Sequence, residues 1–311
     1  MDTSGAAFDS FNVAAERQVG RYGDKPFLTW YDDQRDERVE LSFKTFDNWV
    51  AKTANLLVDE LGAEPGDRVG AVLVDHWQTP VVLAACWRAG TRVVAFEPGP
   101  AAAGEKLVAV FVREEHLAGV GAALAGTDGT VLVALSADLL GRSEHDLGRA
   151  LNFAKVVPGM GDVFAGGLDP DGDALTVLGP ATTAEAATMA ELLDRAAALA
   201  ARTGLTDADR MLTGLPLLSV AGVAAGLLAP FTTGAGVVLA RAFEPARFWK
   251  RVADERVGVA VLDPGQAGAV LAAGPPPAEL DRSRLRVVAC QDAGEALRAG
   301  FQATIGVPLL G

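Results

Sequence analysis

The chain has 311 residues, a formal net charge of −13, 50% hydrophobic residues and 22% charged residues. That length holds about two domains and a large core, and the composition excludes a disordered tail. With only 2 cysteines a disulfide scaffold is excluded, and the acidic balance excludes a nucleic-acid partner unless a local basic patch exists.

No such patch is found; the lysines, Lys25, Lys44, Lys52, Lys106, Lys155 and Lys250, are scattered. The most apolar stretch, Met211–Leu239, is interrupted by Pro216 and Pro230 and reads as core, so no membrane span is expected. Met1–Ser10 lacks a charged-then-apolar leader. Cys86 and Cys290 fit buried thiols in a reducing compartment. These features predict a cytoplasmic α/β protein.

Along the chain, Phe27–Tyr31 and Val39–Leu41 predict a hairpin with a charged tip, Asp32–Glu37. The carboxylates there lack the regular spacing of a metal loop and read as a solvated turn. Ser42 is placed to cap a helix whose apolar face is Phe46, Trp49, Val50, Thr53, Leu57 and Leu61, and Gly62 stops it. Val69–Val74, Pro80–Ala89 and Val93–Phe96 then form a strand–helix–strand unit, the signature of a parallel sheet. Leu107–Val112 and Val131–Leu135 are further strands, with Glu114–Leu124 helical between them. The glycine-rich segment Pro158–Asp173 predicts a boundary between two halves.

The second half alternates in the same way. Strands are predicted at Ala174–Leu178, Met211–Leu215, Val237–Ala240, Val257–Leu262, Leu285–Ala289 and Val307–Leu310. Helices are predicted at Ala184–Thr203, Val220–Pro230, Pro245–Glu255 and Asp292–Thr304. The sequence ends on an apolar strand, an edge that a second copy or another protein is expected to cover.

Searching for chemistry returns few motifs. Gly234-Ala235-Gly236 precedes a strand, so it does not match a dinucleotide loop. His76, His116 and His145 have no partner at helical spacing, which argues against zinc. His76 and Trp77 follow the strand Val69–Val74, and ligands in open α/β sheets sit beyond the carboxyl ends of strands. That makes the pair candidates for a pocket rim; the alternative is a loop histidine beside an aromatic packed on the next helix. Cys290 ends another strand beside Asp292, but no histidine lies in that half to serve as its base. Asp292 reads better as the cap of the following helix.

The order of several segments resembles AMP-forming acyl-CoA synthetases and related adenylating enzymes. They are Phe43–Gly62, Pro65–Val69, Ala84–Gly90, Leu205–Leu212, Leu215–Gly222, Gly226–Pro230, Gly234–Leu239 and Leu285–Val288, with Gly306–Leu310 last. Val39–Leu61 is also similar to a small actinobacterial family of divergent, shortened synthetase-like proteins with no assigned activity. The resemblance implies an α/β fold of two subdomains, with mainly parallel sheets flanked by helices. It divides the chain into residues 1–170 and 171–311, and leaves the family's third subdomain and C-terminal lid domain absent.

The departures from the family pattern set the functional expectation. The family's phosphate loop, rich in Ser, Thr and Gly and ending in Pro-Lys-Gly, is replaced by Gly179–Glu185, where Thr182 and Thr183 remain and Glu185 adds a negative charge. The histidine after Leu-Pro-Leu is replaced by Ser219, and the Gly-Gly-Ala pocket wall by Cys290–Ala293. The glutamate that holds magnesium in the family would follow Gly311. Adenylation stabilises charge on a transferring phosphoryl group through positioned cations and N–H donors, and these replacements remove them.

The expectation is therefore a catalytically degenerate relative acting as a binding, regulatory or structural component, with no catalytic residue and no metal ligand. Its acyl or nucleotide pocket draws on Thr182, Thr183, Ser219, Asp292, His76 and Trp77. The alternative is a divergent carboxylate ligase using ATP, magnesium and CoA, completed by a partner chain or by self-association. A third reading is an interaction module without a small ligand.

Overall fold

Local chemistry sets the first elements much as predicted. In the computed structural model, which describes residues 8–98, 105–125, 129–136, 138, 146–179 and 184–311, Pro26–Asp32 and Glu37–Ser42 pair antiparallel. The Ser42 side chain accepts the Thr45 N–H and caps the helix Phe43–Asn55. A π-helical segment, Leu56–Glu60, extends that helix to Gly62, whose φ of +65° is cheap only for glycine.

Among the described residues the strands in chain order are β1 Pro26–Asp32, β2 Glu37–Ser42, β3 Arg68–Val72, β4 Arg92–Phe96, β5 Ala109–Arg113, β6 Val131–Leu135, β7 Leu151–Asn152, β8 Asp173–Leu178, β9 Ala184–Thr188, β10 Arg210–Thr213, β11 Gly236–Ala240, β12 Val259–Val261, β13 Val287–Ala289 and β14 Leu309–Leu310. They form two 7-stranded sheets, ordered β7-β6-β5-β3-β4-β8-β9 and β14-β13-β12-β10-β11-β1-β2. Only the β1–β2 and β8–β9 ladders are antiparallel. The fold is α/β with mainly parallel sheets, as expected.

Neither sheet is one continuous stretch of chain, so a cut at residue 170 does not separate them. The hairpin β1–β2 joins the second sheet, with Leu28 opposite Val237 of β11. Strand β8 joins the first, with Val93 of β4 opposite Leu175. The continuous helix predicted over Ala184–Thr203 is also corrected. Its first five residues are β9, paired with β8 from Val177↔Glu185 to Asp173↔Thr188. Thr188 then opens the helix Met189–Thr203 with a capping box to Glu191. An alanine-rich run favours helix locally, but here pairing on an open sheet edge decides.

Helices Phe43–Asn55, Gln78–Arg88 and Met189–Thr203 contribute to one large core shared by both sheets. Phe27, Phe43, Phe46 and Phe231 pack there as a contiguous aromatic group, each ring adding roughly 2–3 kcal/mol of burial. Helices Pro245–Asp254, Pro264–Ala272 and Glu295–Ile305 cover the other face of the second sheet, with Phe248, Val270 and Phe301 inward. Among the described residues no helix is long and apolar enough to cross a membrane.

Candidate functional site

Parallel sheets gather loop residues at the carboxyl ends of their strands, and the chemistry of this chain collects there. The loop after β10 is tightly bound. Gly214 donates to Val261 O at 2.9 Å, and its own carbonyl accepts Gln266 Nε2 at 2.6 Å. Leu217 N–H donates to Asp75 Oδ1, just beyond β3, at 2.8 Å. The Asp75 carbonyl in turn accepts the Trp30 indole N–H at 3.0 Å. Asp75 thus ties β1, β3 and the loop after β10 together. Burial lifts its carboxyl to about 6, with the Leu217 N–H pulling the other way.

The sequence-predicted residues fall in different places. Ser219 caps the short helix Val220–Val223: its Oγ accepts Gly222 N–H at 2.9 Å and donates to Pro216 O at 2.8 Å. Its hydroxyl is committed to the loop. His76 and Trp77 are buried, 2% and 6% exposed, and not at an open rim. His76 lies edge-on to Trp30 at 4.3 Å, and Trp77 meets Trp49 at 5.3 Å. Burial, and then the charges of Arg113, Arg241 and Arg35, hold the His76 imidazole neutral, well below its usual pKa. Thr182 and Thr183 lie outside the described residues.

Asp292 is exposed with φ +61° and does not cap the last long helix; Gly294 occupies the cap position of Glu295–Ile305 without a side-chain bond. Cys290 is buried, and burial followed by the Asp263 and Asp292 carboxylates raises its pKa, so it is a thiol rather than a thiolate. The predicted hairpin tip is solvated only over Gln34–Asp36. Asp32 pairs with Arg241 at 2.9 Å and Asp33 with Arg251 at 2.7 Å, so neither carboxylate is free for a metal. No group of three or more potential metal ligands converges among the described residues.

Two pockets of about 260 Å³ lie elsewhere, one beside Lys44 and Arg88, the other beside Tyr31 and Arg251. Neither is lined by His76, Trp77, Ser219 or Asp292. The residues that sequence reasoning missed are Asp75, Gln78 and Arg113. Arg113 ends β5 with its side chain 1% exposed, a guanidinium where an apolar residue would be expected. A charged residue closing an apolar strand was the only signal available.

Comparison with known proteins adds the family. Residues 15–110 and 182–305 match the family described as AMP-binding enzyme. A TIGR03089 family protein of Mycobacterium tuberculosis (strain ATCC 25618 / H37Rv) is 35% identical over 235 residues, which covers 75% of this chain and 89% of that protein. Among solved structures, the anthranilate CoA ligase AuaEII in complex with anthranoyl-AMP superposes with a TM-score of 0.78 at 16% identity, over 99% of this chain and 60% of that one. A Brucella canis acyl-CoA synthetase gives 0.77 at 18% identity, over 95% and 56%. A benzoate CoA ligase from Burkholderia xenovorans LB400 gives 0.75 at 17%, over 97% and 60%. The chain therefore spans about 60% of the length of these solved enzymes, and at such identities the likeness is one of fold.

Proposed function

Since the chain belongs to the AMP-binding enzyme family, we propose that it is a binding member of that family, one that holds a small acyl or nucleotide ligand without adenylating it. The observation that carries this reading is Ser219. It stands where the resemblance places the family's histidine, and its hydroxyl both accepts from Gly222 and donates to Pro216. A hydroxyl so engaged is a helix cap and does not stabilise charge on a phosphoryl group. Two neighbours support the same reading. Glu185 is exposed on β9, in the segment that replaces the phosphate loop, where its charge opposes a triphosphate. Cys290 is a neutral, buried thiol where the resemblance places the pocket wall.

The test is ATP–pyrophosphate exchange with a panel of aliphatic and aromatic carboxylates, run beside thermal shifts with ATP, AMP and CoA. The expected result is no exchange and a saturable shift with at least one of the three. A ligand at 100 times its Kd stabilises by about 2.7 kcal/mol, a shift easily read. Robust exchange by the chain alone overturns the reading in favour of an acyl-adenylating ligase. No shift with any of the three leaves an interaction module in its place.

A further inference from the structure

An unexplained set of buried donors lies beside Asp75, at the carboxyl ends of β3 and β5. Val72 of β3 pairs with Val112 of β5, and Arg113 follows. Among the described residues the buried Arg113 guanidinium donates once, from Nη1 to Gln78 Oε1 at 3.3 Å. Its Nε and Nη2 have no hydrogen-bond partner among the described residues, the Glu115 carboxylate standing 3.9 Å from Nε. Gln78 also holds His76, donating its backbone N–H to Nδ1 at 3.2 Å. With Nδ1 accepting, the neutral imidazole carries its proton on Nε2, and that atom also lacks a partner among the described residues.

One residue, Gln78, therefore ties two buried side chains whose unmatched atoms are all donors. Gln78 is also the first residue of the helix Gln78–Arg88; its N–H and that of Thr79 are taken by Nδ1 and the carbonyl of His76, so the helix start adds positive field there rather than a free N–H. Buried polar groups in folded proteins are nearly always paired. Several unpaired donors together, beside a helix N-terminus, call for an acceptor bearing negative charge.

We infer that Arg113 and His76, beside the start of the helix Gln78–Arg88, form a site for the oxyanion of a small molecule, a carboxylate or a phosphate group. The guanidinium fork suits two oxygens of either group, and the His76 Nε2–H supplies a further donor. Arg241 and Arg35 add positive field at His76 and Arg113, while Glu114 and Glu115 oppose it at Arg113. Arg241 is partly offset by its ion pair with Asp32. Arg113 lies outside the segments that match the family, 15–110 and 182–305, while His76 and Gln78 lie within them; the proposal rests on the unpartnered donors and does not depend on the reading proposed above.

Imidazole ¹⁵N–¹H NMR of the full chain tests it. The protein has 3 histidines, and His76→Gln identifies the His76 signals. The probes are sodium phosphate, sodium benzoate and sodium chloride at matched ionic strength. The expected result is a saturable shift of the His76 signals with phosphate or benzoate, at millimolar concentration or below, and none with chloride. Saturation by phosphate alone assigns a phosphate-bearing ligand; saturation by benzoate alone assigns a carboxylic acid. Arg113→Gln should weaken binding tenfold or more, and Arg113→Lys, which keeps the charge but not the fork, should weaken it less. No saturable shift with either oxyanion, an equal response to chloride, or an unchanged Kd in Arg113→Gln overturns the proposal. If Arg113→Gln does not fold, an unchanged Kd in Arg113→Lys overturns it.

Discussion

The Asp75 carboxylate accepts the backbone N–H of Leu217 at 2.8 Å, a bond between residues 142 positions apart that joins the two sheets. Asp75 follows β3 of the first sheet, and Leu217 follows β10 of the second. The loop from Gly214 to Ser219 is thus positioned by a group on the opposite sheet. The position of that loop is therefore coupled to the protonation state of Asp75.

That coupling has a definite sign. Folding lifts the Asp75 carboxyl from 3.8 to about 6, chiefly by burial. Between those values the folded chain keeps a proton that the unfolded chain releases. The stability contributed by protonated Asp75 is therefore full below pH 3.8 and is lost as pH rises through about 6. Asp75→Asn removes the charge and keeps an oxygen for the Leu217 N–H. It should match the parent near pH 4 and exceed it at pH 8, by up to about 3 kcal/mol. Urea unfolding of both proteins from pH 4 to 8 checks this, and parallel pH profiles would contradict it.

Ser219→Ala isolates the cap from any ligand role. Losing the bond to Gly222 should cost about 1 kcal/mol, the usual worth of a serine N-cap. Thermal shifts with ATP, AMP or CoA should keep their size once the lower starting stability is allowed for. A ligand affinity that collapses while stability barely changes would reassign Ser219 as a ligand contact.

Most strands were legible because buried parallel strands are short apolar runs bounded by turn residues. Val93–Phe96 and Val237–Ala240 lie within β4 and β11 almost end to end. The helix Phe11–Tyr22 was not legible, since it buries Asn12 and Gln18 among its apolar residues and shows no clean stripe. Pro264–Ala272 was missed despite its capping box, Asp263 with Gln266. Sheet membership was hidden for a different reason. A hairpin such as β1–β2 carries no mark of the strand it will join, and only the Leu28↔Val237 ladder decides. The candidate site was the least legible part. His76 could be placed beyond a strand end, but Gln78 and Arg113 acquire meaning only once the sheet brings them together.

Asp209 titrates in the opposite sense to Asp75. Burial pushes its carboxyl up, but hydrogen bonds from Arg286 and from the Thr206 N–H and hydroxyl outweigh that and hold it below its ordinary value. The stability it contributes is present above pH 3.8 and is lost as pH falls through the lower folded value. Asp209→Asn should cost about 1–2 kcal/mol at pH 7. Arg286 is 47% exposed, so solvent screens its share and the Thr206 turn carries most of the loss. The cost should shrink toward pH 3, and urea unfolding at the two pH values measures it. An equal cost at both would mean that charge is not the cause.

Gly222 connects the cap to the coupling between the sheets. A Cβ there would lie 1.7 Å from the Pro216 carbonyl oxygen, a backbone atom that cannot rotate away. Gly222→Ala must therefore displace the Pro216–Ser219 turn, at the upper end of the roughly 1–3 kcal/mol typical of overpacking. Leu217 lies in that turn, so its bond to Asp75 should lengthen or break. Losing that N–H removes the contact that lowers the Asp75 pKa, so the carboxyl should rise further above 3.8. Gly222→Ala should then steepen the same pH dependence that Asp75→Asn abolishes, and the two substitutions should be non-additive at pH 8. Urea unfolding of the double variant checks this. Fully additive effects would mean that the turn and the carboxylate act independently.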